Sequence, residues 1–291
     1  MASNVARTGN NAPNGAFIPE IWSKKMLKKF YNTTVLTEVT NTDYEGEISG
    51  QGSKVIIRIK PTVNIGDYTV NGTINYQDLQ DNKTEFTIDK AKYYAFKIDD
   101  IDKAQMDINL MNEATSDAAF QLKIHIEKQL FGQVYAQAGT IQPTQVITKL
   151  NVLDWIVDAG TKLDELNIGE EGRFLIVPPW IAAMIKKSDL KDASLSGEGS
   201  STYLKGKIGM IDRFTLFNSN NLVTTTPTAS NGGTFQVMAG TKDAITFASQ
   251  FVKTENTRLQ DSFGDAIRGL KVYGYKTILP QALISMPATK I

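Results

Sequence analysis

Leu110, Ala114, Ala118, Leu122, Ile126, Leu130, Val134 and Ala138 recur every four positions, and this row constrains the fold more than any other feature of the chain. On turns of 3.6 residues such a row slants around a helical cylinder. Met111, Phe120, Ile124, Phe131 and Tyr135 widen the apolar surface beyond one narrow stripe. The spacing predicts a single helix from Asp102 to Gln137, with Asp102 and Gln105 in a capping arrangement. At 1.5 Å per residue it would be roughly 50 Å long, more than the width of a small compact domain.

The segments before this helix have a different character. Residues 1–16 are rich in Asn, Ala, Gly and Thr and cannot bury enough apolar area to fold alone, so they read as a flexible arm. Phe17–Glu20 opens a short helix with Pro19 in its first turn. Trp22, Met26, Leu27 and Phe30 share its apolar face, with Lys24, Lys25, Lys28 and Lys29 off it. That face could dock on a neighbouring subunit or pack on the chain's own core. Ser53–Lys60 is β-branched and partly alternating, hence a strand, and Gly66–Tyr76 forms a hairpin around Asn71-Gly72, the favoured pair for a type I′ turn. Thr84–Ile88 and Tyr93–Ile98 return as strands. Residues 46–98 therefore read as a long two-stranded ribbon with few apolar anchors near its tip, a structure that is marginal in water without a surface to lie on.

The segments after the helix alternate. A linker with Pro143 leads to a helix over Asn151–Leu166, with Asn151 as N-cap and Val152, Leu153, Ile156, Leu163 and Leu166 as core candidates. Arg173–Val177 is a buried strand ended by Pro178-Pro179, and a helix runs from Trp180 to Lys187. Leu195–Ser201 is a polar loop. Arg213–Phe217, Phe235–Met238 and Ala244–Phe247 are strands, which makes 140–250 a mixed α/β unit. Ala266–Leu279 is a last strand run, expected to be weakened or bent at Gly269 and Gly274 and stopped by Pro280.

Bulk properties remove several function classes. The 291 residues carry 31 Lys+Arg against 31 Asp+Glu, so there is no cationic surplus to displace counterions from phosphates. The chain has no cysteine, which excludes disulfides, thiolate metal sites and cysteine nucleophiles. The N-terminus lacks the apolar stretch of a secretory signal, and no apolar run approaches the ~18 residues of a membrane span.

Motifs for chemistry are equally sparse. His125 is the only histidine and sits within the long helix without a partner residue in the sequence. Asp99, Asp100, Asp102 and Asp107 lack the Gly and terminal Glu of a calcium loop, and suit the dipole at a helix start instead. Ser188-Asp189-Leu190-Lys191 has the Ser-x-x-Lys form without its companion motifs. Gly50-Gln51-Gly52 precedes a strand, not the helix of a dinucleotide loop. Glu170-Glu171 lies between two glycines, as a turn. The reading contains no catalytic residue, no cofactor and no metal ligand.

Five segments, in this order, resemble the major capsid family of tailed bacteriophages with the Hong Kong 97-type fold. They are Phe17-Ile18-Pro19-Glu20-Ile21-Trp22-Ser23, the strand-rich 46–98, the long helix after Asp102, Phe174–Trp180, and Gly206–Leu222 with its Ser219-Asn220-Asn221-Leu222 end. The final strands, Gly269–Leu279, suit the family's peripheral sheet. The resemblance implies an α+β capsid fold divided into an N-terminal arm (1–45), an extended β-hairpin or E-loop (46–98), a peripheral domain with a long spine helix (99–139 and 251–291) and a mixed α/β axial domain (140–250).

The resemblance further implies a coat protein that assembles with itself into hexamers and pentamers of an icosahedral head shell around phage DNA. A shell of an encapsulin-like compartment is the alternative. Portal, scaffolding and decoration proteins are possible partners, contact with packaged DNA would be weak and non-specific, and no membrane is involved. Assembly would take place in the host cytoplasm and the product would be the virion. Trp22, Tyr68, Val70, Ile74, Tyr76 and Leu79 are the expected inter-subunit contacts. Some family members weld their shells through a lysine on the extended loop. Here Pro61–Asn82 has none, with only Lys60 and Lys83 flanking it, so maturation should be non-covalent. No scaffolding or protease segment is recognised, so any scaffold should be a separate or already removed protein.

Overall fold

The computed structural model describes residues 34–44, 54–59, 63–67, 70, 76–78, 82–100, 109–188, 207–225, 233–260 and 263–290. All belong to the compact unit Tyr31–Ile291. In chain order the elements are α1 (Leu36–Val39), β1 (Lys54–Ile59), β2 (Asn82–Thr87), β3 (Lys90–Asp99), α2 (Asn109–Val134), β4 (Thr140–Ile141), β5 (Gln145–Val146) and α3 (Val152–Glu165). There follow β6 (Arg173–Val177), α4 (Pro179–Lys187), β7 (Lys207–Ile211), β8 (Phe214–Asn218), β9 (Thr224–Thr225), β10 (Thr234–Thr241), β11 (Ile245–Arg258), β12 (Gly264–Thr277) and β13 (Leu283–Thr289).

An eight-stranded sheet forms the body, in the order β4-β13-β10-β6-β8-β7, with β5 added on β13 and β9 on β10. It is mixed. β10 is antiparallel to both β13 and β6, whereas β6 and β8 run parallel. All five residues of β6 are buried, as its unbroken apolar run requires of a strand covered on both faces. The core beneath includes Trp155, Ile156 and Leu163 of α3, Ile181 and Ile185 of α4, and Ile126, Leu130, Phe131 and Val134 of α2. Each such side chain contributes about 1.5–3 kcal/mol when fully buried. Trp155, fully buried, is a core residue that sequence reasoning passed over, and Leu166, expected in the core, is 45% exposed just past the end of α3. Asn151 sits at the N-cap of α3, but its side chain serves the preceding turn: Oδ1 accepts from Thr148 N at 2.7 Å and Nδ2 donates to Val146 O at 2.8 Å.

Helix α2 runs 26 residues, roughly 39 Å, and tightens into a 3₁₀ turn at Tyr135–Gln137, where the periodicity placed its end. The expected start at Asp102 lies outside the described residues. Only the second half of the row goes fully into the core. Ile126, Leu130 and Val134 are buried, whereas Ala114, Ala118 and Leu122 are half-buried.

Two smaller sheets complete the fold. β1 and β2 pair antiparallel from Lys54↔Thr87 to Ile59↔Asn82. The strand over Tyr93–Ile98 does not return along them. It belongs to β3, which pairs with β12 in a sheet ordered β11-β12-β3. β11 is far longer than the expected Ala244–Phe247, because its outer half has polar residues that a backbone ladder tolerates: Thr254, Glu255, Asn256 and Thr257 all pair with β12. The divisions expected at 98/99 and 250/251 thus fall inside β3 and β11, and this sheet is continuous across both.

Pairing of β12 with β11 continues through both Gly269 and Gly274, and pairing with β3 through Gly269. Both glycines admit close approach. A methyl at Gly274 would lie 2.5 Å from Thr87 O of the ribbon, and one at Gly269 would overlap the ring of Tyr94. The irregularity falls on the partner strand instead, between Phe251 and Lys253.

Candidate functional site

The ribbon has a buried base. In β1 and β2, Ile57 and Phe86 point to one face and join Ile88, Ala248 and Val272 in a second apolar cluster against β11 and β12. Lys276 Nζ donates to Glu85 O at 2.7 Å, which ties β12 to the back of β2. The ribbon is therefore held firmly where it leaves the body.

Beyond Ile59 and Asn82 the described residues change character. Val63, Ile65, Val70 and Tyr76 are 62%, 97%, 84% and 92% exposed. Asn64 N donates to Gln77 Oε1 at 2.9 Å, linking the two sides of the excursion. Of the six expected contact residues, Val70 and Tyr76 are described, and both are exposed. Trp22, Tyr68, Ile74 and Leu79 lie outside the described residues, as does the Asn71-Gly72 turn.

A second feature was not anticipated. Glu127 is completely buried, in the middle of the α2 arc formed by Ile126, Leu130, Phe131 and Val134. Its Oε2 accepts from Val35 N at 2.9 Å. Its Oε1 accepts from Ser219 Oγ and Asn221 Nδ2, each at 3.1 Å. Burial pushes the Glu127 carboxyl above its usual range, while the bonds from Asn221, Ser219, Val35 and Leu36 pull the other way. A glutamate at the centre of an apolar arc was the available signal. The Ser-Asn-Asn run was noticed, but its partner lies 92 residues away.

The third feature closes the far end of the eight-stranded sheet. β7 and β8 are joined by Asp212-Arg213, both with positive φ (45° and 66°), a two-residue turn that matches strand twist. Gly160 of α3 leaves room for the Asp212 carboxylate, since a methyl there would overlap it. Asp164 accepts from the fully buried Arg173 at 2.8 Å and from Arg213 at 2.7 Å, and Arg213 also reaches Glu170 at 2.8 Å. The Arg173 guanidinium, then that of Arg213, holds the Asp164 carboxyl below the usual carboxylate range. The cluster fixes a turn to a helix end. Among the described residues no group of His, Asp and Glu could hold a metal ion, and no helix is long and apolar enough to cross a membrane. His125 is exposed on α2.

Solved structures share the fold of this chain. The chain is similar to one from Mycobacterium phage Che8, with 28% identity and a TM-score of 0.75 over 94% of this chain and 97% of that one. It shares its fold with the capsid of the cyanophage P-SCSP1u (14% identity, TM-score 0.70, 94% of each chain). The capsid of Ralstonia phage GP4 matches at 12% identity and TM-score 0.67, over 97% of this chain and 98% of that one. No curated protein matches the chain. The fold is the one these phage capsid structures share. The chain belongs to the phage capsid protein family, whose model matches residues 80–285. It is a major capsid protein, a structural component of the virion capsid, and the compartment-shell alternative is not favoured.

Proposed function

We propose that this subunit forms hexamers and pentamers of an icosahedral head around phage DNA, and that residues 61–83 are the arm with which each copy grips its neighbour. The supporting observation is the contrast along the ribbon, whose base is buried at Ile57 and Phe86 and whose outer part leaves Ile65 and Tyr76 almost wholly exposed. A hairpin with open edges and uncovered apolar side chains needs a surface. Burying two of them would stabilise a contact by about 2–5 kcal/mol before entropic costs. Tyr68, Val70, Ile74, Tyr76 and Leu79 would supply the arm's anchors, with Trp22 as a contact from the N-terminal arm. The regions 1–45, 46–98, 99–139 with 251–291, and 140–250 would serve as arm, E-loop, peripheral domain and axial domain.

In this reading the shell assembles in the host cytoplasm, without catalysis or a covalent weld. It touches its DNA weakly, and portal, scaffolding or decoration proteins are further partners. Replacing 64–80 with a short Gly-Ser turn tests the arm. The variant should keep the wild-type thermal transition yet form no closed shells in electron micrographs under conditions where wild type does. Normal particles from the shortened chain would sink the proposal.

A further inference from the structure

We infer that Glu127 is an interlock: a positioning residue whose one carboxylate fixes the strap at 34–41 and the loop at 219–221 as a single unit. This stands on the chain's own geometry, whether or not the ribbon is the inter-subunit arm.

The strap needs such a group. α1 is a single turn of four residues, and Val35 at its N-cap offers no side-chain hydrogen bond. A helix this short does not hold itself together, and its first amides have no partner within it. Glu127 supplies the cap from another helix by taking the Val35 amide, the one just before Leu36. Further along, the strap is held by Asn41, which makes a parallel bridge to Thr246, donating to Ile245 O at 2.8 Å and accepting from Phe247 N at 2.9 Å. Between these ties Val35 and Val39 are fully buried.

The loop depends on the same group. Ser219 and Asn221 are buried polar side chains that both spend a donor on Oε1, and Asn221 N is itself bonded to Ser219 Oγ at 3.2 Å. One oxygen thus serves the strap and the other serves the loop. A carboxylate is rigid and planar, so a shift of either segment tilts the acceptor of the other. Glutamine cannot do the same work, because it has the same shape but would turn an N–H₂ toward donors on one side.

Amide hydrogen exchange on the full-length protein tests this. In Glu127→Gln, exchange at Val35 and Leu36 should accelerate on the order of tenfold, the loss of a charge-assisted bond, while the central strand β10 keeps its protection. In Asn221→Ala, the same two amides should also accelerate, because Asn221 and Val35 share the Glu127 carboxylate. Wild-type rates at Val35 and Leu36 in Glu127→Gln would overturn the interlock. So would acceleration in Asn221→Ala confined to its own loop, or an even acceleration that includes β10. If Glu127→Gln does not fold, the Asn221→Ala result decides alone.

Discussion

The hydroxyl of Tyr94 lies 3.4 Å from Oγ1 of Thr254, although β12 runs between their two strands. The ring crosses over Gly269, the residue that pairs with Tyr94 on one side and Thr254 on the other. Three strands are stapled by one aromatic side chain, and the missing side chain at Gly269 is what lets it pass. Gly269→Ala should therefore destabilise the subunit by about 1–3 kcal/mol through overpacking, read as a lower denaturation midpoint in urea. Adding Tyr94→Ala should restore part of the loss. Strictly additive effects in the double variant would show that the ring and the methyl do not compete.

Asp164 gives a prediction on the acid side. Its carboxyl is held low by Arg173 and then Arg213, so it ionises more readily in the folded than in the unfolded chain. The stability it contributes is present above the unfolded carboxylate range and is lost as pH falls through the lowered folded value. Asp164→Asn should be less stable than wild type at neutral pH, and the two unfolding midpoints should converge as the solution is acidified. A difference that persists unchanged into strong acid would mean that the side chain acts through packing alone.

Tyr275 gives one on the alkaline side. Its hydroxyl donates to Gln133 Oε1 at 2.6 Å, and burial, then Tyr273 and Asp89, pushes its pKa up to about 12 from an ordinary 10.0. The folded chain keeps this proton longer than the unfolded one. The associated stability is complete below pH 10 and is lost as pH rises from there toward about 12. Tyr275→Phe should remove that part of the alkaline decline, seen in thermal midpoints across this window. An identical decline in both proteins would place the titrating group elsewhere.

How much was legible in the sequence followed from which forces leave a local trace. α2, α3 and β6 were readable because burial on one face or both imposes a period or an unbroken run. β11 was not, since Thr254 to Thr257 are held by backbone pairing that polar side chains neither help nor reveal. The roles of Gly269 and Gly274 were invisible for a related reason: a glycine that makes room for a distant ring or carbonyl looks like a glycine that bends a strand. Glu127 depends on residues 92 and 94 positions away, and no short-range pattern announces such a partner. Of the residues expected at a contact, Val70 and Tyr76 are exposed in the structure, and nothing in the sequence patterned them for a core.

The hairpin of β11 and β12 is a wall with a tenant on each side. Phe247, Tyr273 and Tyr275 face the core shared with α2, where Tyr273 and Tyr275 bond Gln129 and Gln133. Ala248 and Val272 face the ribbon base, and Gly274 lets it sit directly against the backbone. A pull on the ribbon therefore has a short load path: through Phe86 and Ile57 into the wall, and out through two tyrosines onto the long helix. Because packed interiors are stiff, a displacement of β1 and β2 against β12 would be passed on to α2 with little room for the packing between them to absorb it.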